Sequence, residues 1–416
     1  MSKRFAWLLG LVGLVSLGWL VACGGKYSAS SNGLVLVASQ GSNVIETFSF
    51  DLGSGRISEI NSPPGTSAPP AAMVIDPAGA YAYVIVGSEG SYGIESFKVN
   101  SDGSVTAGST TPDNSPVALA MDSLGKFLFV AEGLNLDENG VPNGAYCPDG
   151  VSKGVCVYSI SNGTLTPVTS TFVAPATVQA PNLVAFATTP TAFPSINSSC
   201  STISGTNPPS SEFLYAADSV NNLVWEFSVD TTTGALGNPP GFDSVQTFAV
   251  GSVPSGVAVD ACARFVYVTN NLSNNVSAFS ICNGASTQSA QCTSPDGKLF
   301  AVKGSPFSMA ASANGPGPLV ADPLGNNVYV LSLLSNTVST FKIAQSTGDL
   351  TPGSPETVAT GGTPKSIAIR SDNLWLFVSN NSSATLSEFE ITPATGSLTP
   401  QPVISTDNLP WGIAVK

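Results

Sequence analysis

Apolar side chains in this chain come in short alternating runs, and the runs themselves repeat. The clearest register holds one aromatic, at Phe48, Phe97, Tyr158, Phe227, Phe279, Phe341 and Phe389. Three residues before each stands Ile45, Ile94, Val155, Val224, Val276, Val338 or Leu386. Two residues after it stands Phe50, Val99, Ile160, Val229, Ile281, Ile343 or Ile391. Alternation from the aromatic onward has the period of a β-strand. Denser apolar runs precede these strands: Leu34–Ser39, Tyr81–Val86, Phe127–Glu132, Phe213–Asp218, Phe265–Asn270, Val328–Ser332 and Trp375–Asn380. A further set of runs opens with proline, at Pro70, Pro116, Pro181, Pro254, Pro316, Pro364 and Pro410. Its small and branched residues, as in PSGVAVD (254–260) and PKSIAIR (364–370), suit dense packing near an axis. Turns such as NGTLT (162–166), TGALG (233–237) and TGSLT (395–399) lead into a fourth strand, with glycine supplying positive φ.

Four strands per unit, with the prolines 46–73 residues apart, predict an all-β, seven-bladed β-propeller with four-stranded blades. One such sheet cannot bury both faces, so neighbouring blades must cover them. The ends are complementary. The chain enters at a second strand near Leu34 and stops after the inner-strand run Pro410–Val415. The C-terminal strand is therefore expected to complete the first blade and close the ring. An open solenoid would leave those ends unexplained and expose sheet edges. The organisation expected is a leader over residues 1–22, a flexible tether over 23–33 and one propeller over 34–416.

The leader begins with Lys3 and Arg4, continues through an uncharged apolar run to Ala22, and ends in LVACG (20–24). Small residues before a cysteine resemble the lipobox of bacterial lipoproteins. By that resemblance Cys23 is the lipid-attachment residue, and glycine after it favours outer-membrane sorting. An uncleaved membrane anchor is the alternative. Both place the globular part outside the cytoplasm, and the lipobox resemblance implies the outer membrane or cell surface. The six later cysteines are an even set, as disulfides in an oxidising compartment require. The repeat register places Cys147 with Cys156 in one top insertion, Cys282 with Cys292 in one bottom loop, and Cys200 with Cys262 in equivalent bottom loops of adjacent blades.

Charge and composition narrow the function. The net charge of −13 becomes −15 when Lys3 and Arg4 leave with residues 1–22. Nucleic acid is thereby an unfavourable partner. The chain has no histidine, which excludes histidine-dependent triads, His-based zinc sites and haem–His ligation. Its arginines beyond residue 22 are Arg56, Arg264 and Arg370.

Two motifs carry a resemblance to a family. Tyr267-Val268-Thr269-Asn270 is a YVTN sequence, and the TGxLTP turns at Thr347–Pro352 and Thr395–Pro400 resemble those of β-propeller lactonase-fold proteins, over roughly residues 34–416. The resemblance implies a metal-independent hydrolase of the 6-phosphogluconolactonase type, opening sugar-acid or related lactones. It also implies pockets combining histidine, arginine and acids, and this chain cannot supply the histidine.

Candidate chemistry gathers at the top of the ring, where second strands end and inner strands begin. Glu132 and Asp218 are candidate bases and Lys365 a candidate oxyanion stabiliser. Asn270, Asn380, Asn182 and Trp411 are candidate ligand contacts, with Trp411 suited to stacking on a ring. A hydrogen-bonded turn role is the alternative for each. Asp76, Asp122, Asp260 and Asp322, six residues after their prolines, are expected to cap turns. In the insertion 133–154, Asn135, Asp137 and Asn139 precede Gly140 as at the start of a calcium loop. Tyr146 stands where a bidentate acid belongs, so a solvated turn is the alternative. No cofactor other than that possible calcium ion is expected. Two functions remain open. One is a lipid-anchored module binding an envelope protein, glycan or small ligand; the other is a lactonase at the channel mouth.

Overall fold

The computed structural model of the chain describes residues 32–51, 55–60, 63–88, 91–136, 142–144, 147, 154–170, 181–190, 212–282, 292 and 296–416. The leader 1–22, Cys23 and most of the tether lie outside the described residues. All regular structure described is β. Seven sheets carry four strand positions each, in the order inner, second, third, outer. The inner strands are Pro70–Ile75, Pro116–Met121, Leu183–Thr188, Pro254–Val259, Pro316–Ala321, Pro364–Ile369 and Pro410–Val415. Each touches the next around a complete ring. In the fourth, fifth and seventh blades the outer position is split into two short strands on one partner.

Closure follows the expected register. Val35, Leu36 and Val37 pair with Val415, Ala414 and Ile413. Leu34 and Lys416 exchange two backbone hydrogen bonds of 3.2 and 2.8 Å. Ile413 is buried with Val35, Val37, Phe48 and Phe377 between the last blade and the first. The third-strand aromatics Phe48, Phe97, Tyr158, Phe227, Phe279, Phe341 and Phe389 are all buried. Each contributes on the order of 1.5–3 kcal/mol.

The YVTN and TG motifs meet across blade boundaries. Tyr215 Oη donates to the Gly297 carbonyl at 2.6 Å, Tyr267 Oη to Gly348 at 3.2 Å, and Tyr329 Oη to Gly396 at 3.1 Å. Each glycine has a positive φ, of 79°, 79° and 72°. A side chain there would also strike Phe213, Phe265 or Asn327 of the preceding blade. The motifs therefore clasp one blade's second strand to the next blade's outer turn.

At the bottom, the recurring aspartates cap turns as expected. Asp76 accepts from the Ala80 and Tyr81 amides, Asp122 from Lys126 and Phe127, Asp260 from Arg264 and Phe265, and Asp322 from Asn326. Arg264 is held there by Asp260 at 2.7 Å and reaches Gln345 and Gly325 of the next blade. Arg370 pairs with Asp372 at 3.1 Å and lies over Phe50. Disulfides join Cys147 to Cys156 and Cys282 to Cys292. Cys262 is disulfide-bonded, and Cys200 lies outside the described residues.

Candidate functional site

Every inner strand has a register shift next to its first residues. Pro254 faces Asn270 and Gly256 faces Thr269, which leaves Ser255 over. Pro364 faces Asn380 and Ser366 faces Ser379, which leaves Lys365 over. In the C-terminal strand, Pro410 faces Ser39 and Ile413 faces Val37, so Trp411 and Gly412 share the place opposite Ala38. A bulge residue has no ladder partner, and its side chain is re-aimed. The fold thus displays one bulge residue per blade at the top of the ring.

Two of these residues meet. Lys365 Nζ lies 4.2 Å from the centroid of the Trp411 ring, across the boundary between the last blade and the first. Both side chains are half-buried. The Trp411 backbone is pinned: Ser379 Oγ donates to the Trp411 carbonyl at 2.6 Å, and Asn381 Nδ2 donates to the Pro410 carbonyl at 3.2 Å. A Cβ on Gly412 would lie 2.2 Å from the Ala71 carbonyl, so glycine is needed to seat Trp411 against the second blade. Elsewhere on the ring Val117 is exposed, and Ser255 donates to the Pro316 carbonyl at 2.7 Å.

The other residues singled out from the sequence are engaged within blades. Asp218 is fully buried. Its Oδ1 accepts from the amides of Asn182, Val220 and Asn221, each at 3.2 Å, and its Oδ2 from Asn221 Nδ2 at 2.8 Å and Trp225 Nε1 at 3.1 Å. Five donors occupy its two oxygens inside the blade. Asn182 is drawn into this cap and also bonds Ser219 at 2.9 Å. Asn270 and Asn380 are fully buried and donate to Ser277 and Ser387, both at 2.9 Å.

Glu132 is also buried. It accepts from the Ser115 amide at 2.8 Å, and hydrogen-bonds Asp113, which in turn accepts from Tyr158 Oη at 2.7 Å. Burial and the neighbouring Asp113 raise its carboxyl well above the usual range, so at neutral pH it holds a proton. A protonated acid is not a base, and Glu132 is engaged with Asp113 inside the blade boundary. Asn135 lies in a two-stranded hairpin, opposite Asn143. Asp137 and Asn139 lie outside the described residues.

Sequence reasoning missed Asp113 and the internal pairing of the strand ends. The signal for the second was present: Ser39 and Glu46, Asp218 and Trp225, Asn270 and Ser277, and Asn380 and Ser387 are each seven residues apart, facing one another across one hairpin.

The chain matches the profile of the family described as "Lactonase, 7-bladed beta-propeller" over residues 27–133 and 208–407. None of the curated proteins matches it. Among solved structures it resembles a protein of Bacteroides uniformis provisionally named a 6-phosphogluconolactonase, at 16% identity and a TM-score of 0.67, covering 93% of this chain and 100% of that one. It resembles the periplasmic gluconolactonase of Pseudomonas aeruginosa at 18% identity and a TM-score of 0.67, covering 92% and 99%. At such identities the likeness concerns the fold.

Proposed function

This chain belongs to the seven-bladed β-propeller lactonase family, and from that premise we propose that it binds a small cyclic ligand at the top of the ring, stacked on Trp411 with a carbonyl or carboxylate oxygen on Lys365. The observation that carries this reading is the half-buried Lys365–Trp411 pair on neighbouring bulges, with the Trp411 carbonyl held by Ser379. An indole face suits the apolar face of a sugar-derived ring, and the ammonium suits an oxygen bearing negative charge. One lysine is a modest anion site, so a carboxylate or lactone fits it better than a phosphate, which favours several cationic or amide donors. The binding module is placed outside the cytoplasm and anchored by lipid at Cys23. The disulfides agree with an oxidising compartment.

Hydrolysis is the second reading, favoured by family membership. Opening a lactone needs an activated water. Lys365 could stabilise the oxyanion, but Glu132 holds a proton and Asp218 already accepts five hydrogen bonds. The test is calorimetric titration with sugar acids and their lactones, with turnover followed by NMR. Binding lost in Trp411→Ala and Lys365→Met, without turnover, is the result expected. Turnover abolished by Glu132→Gln or Asp218→Asn would replace this reading with the hydrolase.

A further inference from the structure

A second cluster lies between the second and third blades and takes no part in the site proposed above. A carboxylate oxygen of Asp113, one of Glu132 and the sulfur of Cys156 all lie within 4.8 Å of one another, and all three residues are buried. The Cys156 sulfur is 3.2 Å from Glu132 Oε1. That is a contact and not a hydrogen bond, because a disulfide sulfur carries no proton. Cys147, bonded to Cys156, is buried as well. Each carboxyl group is oriented by its own donors. Glu132 Oε2 takes the Ser115 amide at 2.8 Å. Asp113 takes the Asn114 amide at 2.7 Å on Oδ1 and Tyr158 Oη at 2.7 Å on Oδ2.

Two acids turned toward a disulfide are an odd assembly for a purely structural crosslink. The sulfur in its oxidised form is neutral and a weak ligand. Reduced, the same four side chains offer two thiolates and two carboxylates. Such a set suits a tetrahedral, borderline-soft divalent cation, with bonds of about 2.3 Å to sulfur and 2.0–2.2 Å to oxygen.

We propose that reduction of the Cys147–Cys156 bond creates a site for one divalent cation of the zinc class, held by both sulfurs, Asp113 and Glu132. The balance is simple. A 1,4-dithiol supplies two electrons and two protons and becomes a six-membered cyclic disulfide, while the S–S bond breaks to give two thiols. The entering cation then displaces the two thiol protons and the proton on Glu132. Tyr158 and Ser115 are positioning residues, which fix the carboxylates without touching the metal. In the oxidised protein the sulfurs are joined and the site is closed.

The test uses purified protein carrying Cys200→Ala, Cys262→Ala, Cys282→Ala and Cys292→Ala, so that the other propeller cysteines cannot contribute. Oxidised and dithiol-reduced samples, freed of reductant, are titrated with Zn²⁺ against a chromogenic chelator. They are titrated again with Co²⁺, whose charge-transfer absorption reports thiolate ligation. The expected result is one zinc per reduced chain with a sulfur signature in cobalt, and none in the oxidised chain. Glu132→Gln should weaken binding roughly tenfold or more, and Tyr158→Phe should weaken it less while keeping the thiolate signature. Equal binding in both redox states would overturn the proposal. So would unchanged affinity in both variants, or a Cys147–Cys156 bond that resists the dithiol until the propeller unfolds.

Discussion

Glu226 gives a sharp test of how this propeller tolerates buried charge. It lies on the third strand of the fourth blade, is fully buried, and neither carboxyl oxygen has a hydrogen-bond partner among the described residues. A Cβ on Gly297 of the next blade would lie 2.7 Å from Glu226 Oε1, so the group is pressed against that turn. Burial raises its pKa well above 4.5, with Asp296 raising it further and Lys298 lowering it. The folded protein therefore keeps a proton that the unfolded chain releases near its ordinary value. Since the folded pKa lies above the unfolded one, the folded state binds more protons between the two. Stability is then highest at low pH and falls as pH rises toward the folded value. One such proton gives a slope of about −1.4 kcal/mol per pH unit. Glu226→Gln keeps the shape and removes the titration. Urea unfolding of both proteins between about pH 5 and pH 7 should show a variant curve shallower by that slope, a gap opening toward roughly 3 kcal/mol. Glu132, Glu212 and Glu388, also raised by burial, titrate alike in both proteins and cancel. Parallel curves would refute the reasoning, because equal slopes would mean that Glu226 is hydrated or paired when charged.

Three further outcomes are expected. Tyr267→Phe, which removes the donor to the Gly348 carbonyl, should cost about 1 kcal/mol in urea unfolding, and Tyr215→Phe at its shorter bond should cost no less. Asp218→Ala leaves the buried Trp225 Nε1 and three part-buried amides without their acceptor. It should lose roughly 3 kcal/mol or more by the same assay, whereas a residue kept for ligand contact would leave stability unchanged. Ile413→Asp puts a charge into the closing seam. It should cost roughly 4 kcal/mol or more and broaden the unfolding transition.

The fold was legible because each blade repeats the same few physical demands: a buried second strand, an aromatic in the third, proline at the inner start. Ring closure was legible from complementary ends. The split outer strands were missed, although Pro239-Pro240-Gly241 is a turn signal at the break in the fourth blade. At the top, Lys365 and Trp411 were found by position, but that they touch follows from two bulges on neighbouring inner strands, and a bulge leaves no mark in hydrophobic period. Glu132 and Asp218 were placed at strand ends facing the mouth, and the structure turns each into its blade. For Asp218 the seven-residue spacing to Trp225 could have revealed the partner. For Glu132 the partner Asp113 sits on the outer strand of the preceding blade, a contact that no local pattern encodes.

The most direct measurement of the central claim is a crystal structure of the protein with the tightest-binding sugar acid or lactone from the titration panel. The account expects the ring against the indole of Trp411, with an oxygen within hydrogen-bond distance of Lys365 Nζ. A ligand bound instead beside Glu132 or Asp218, or away from the top of the ring altogether, would contradict it.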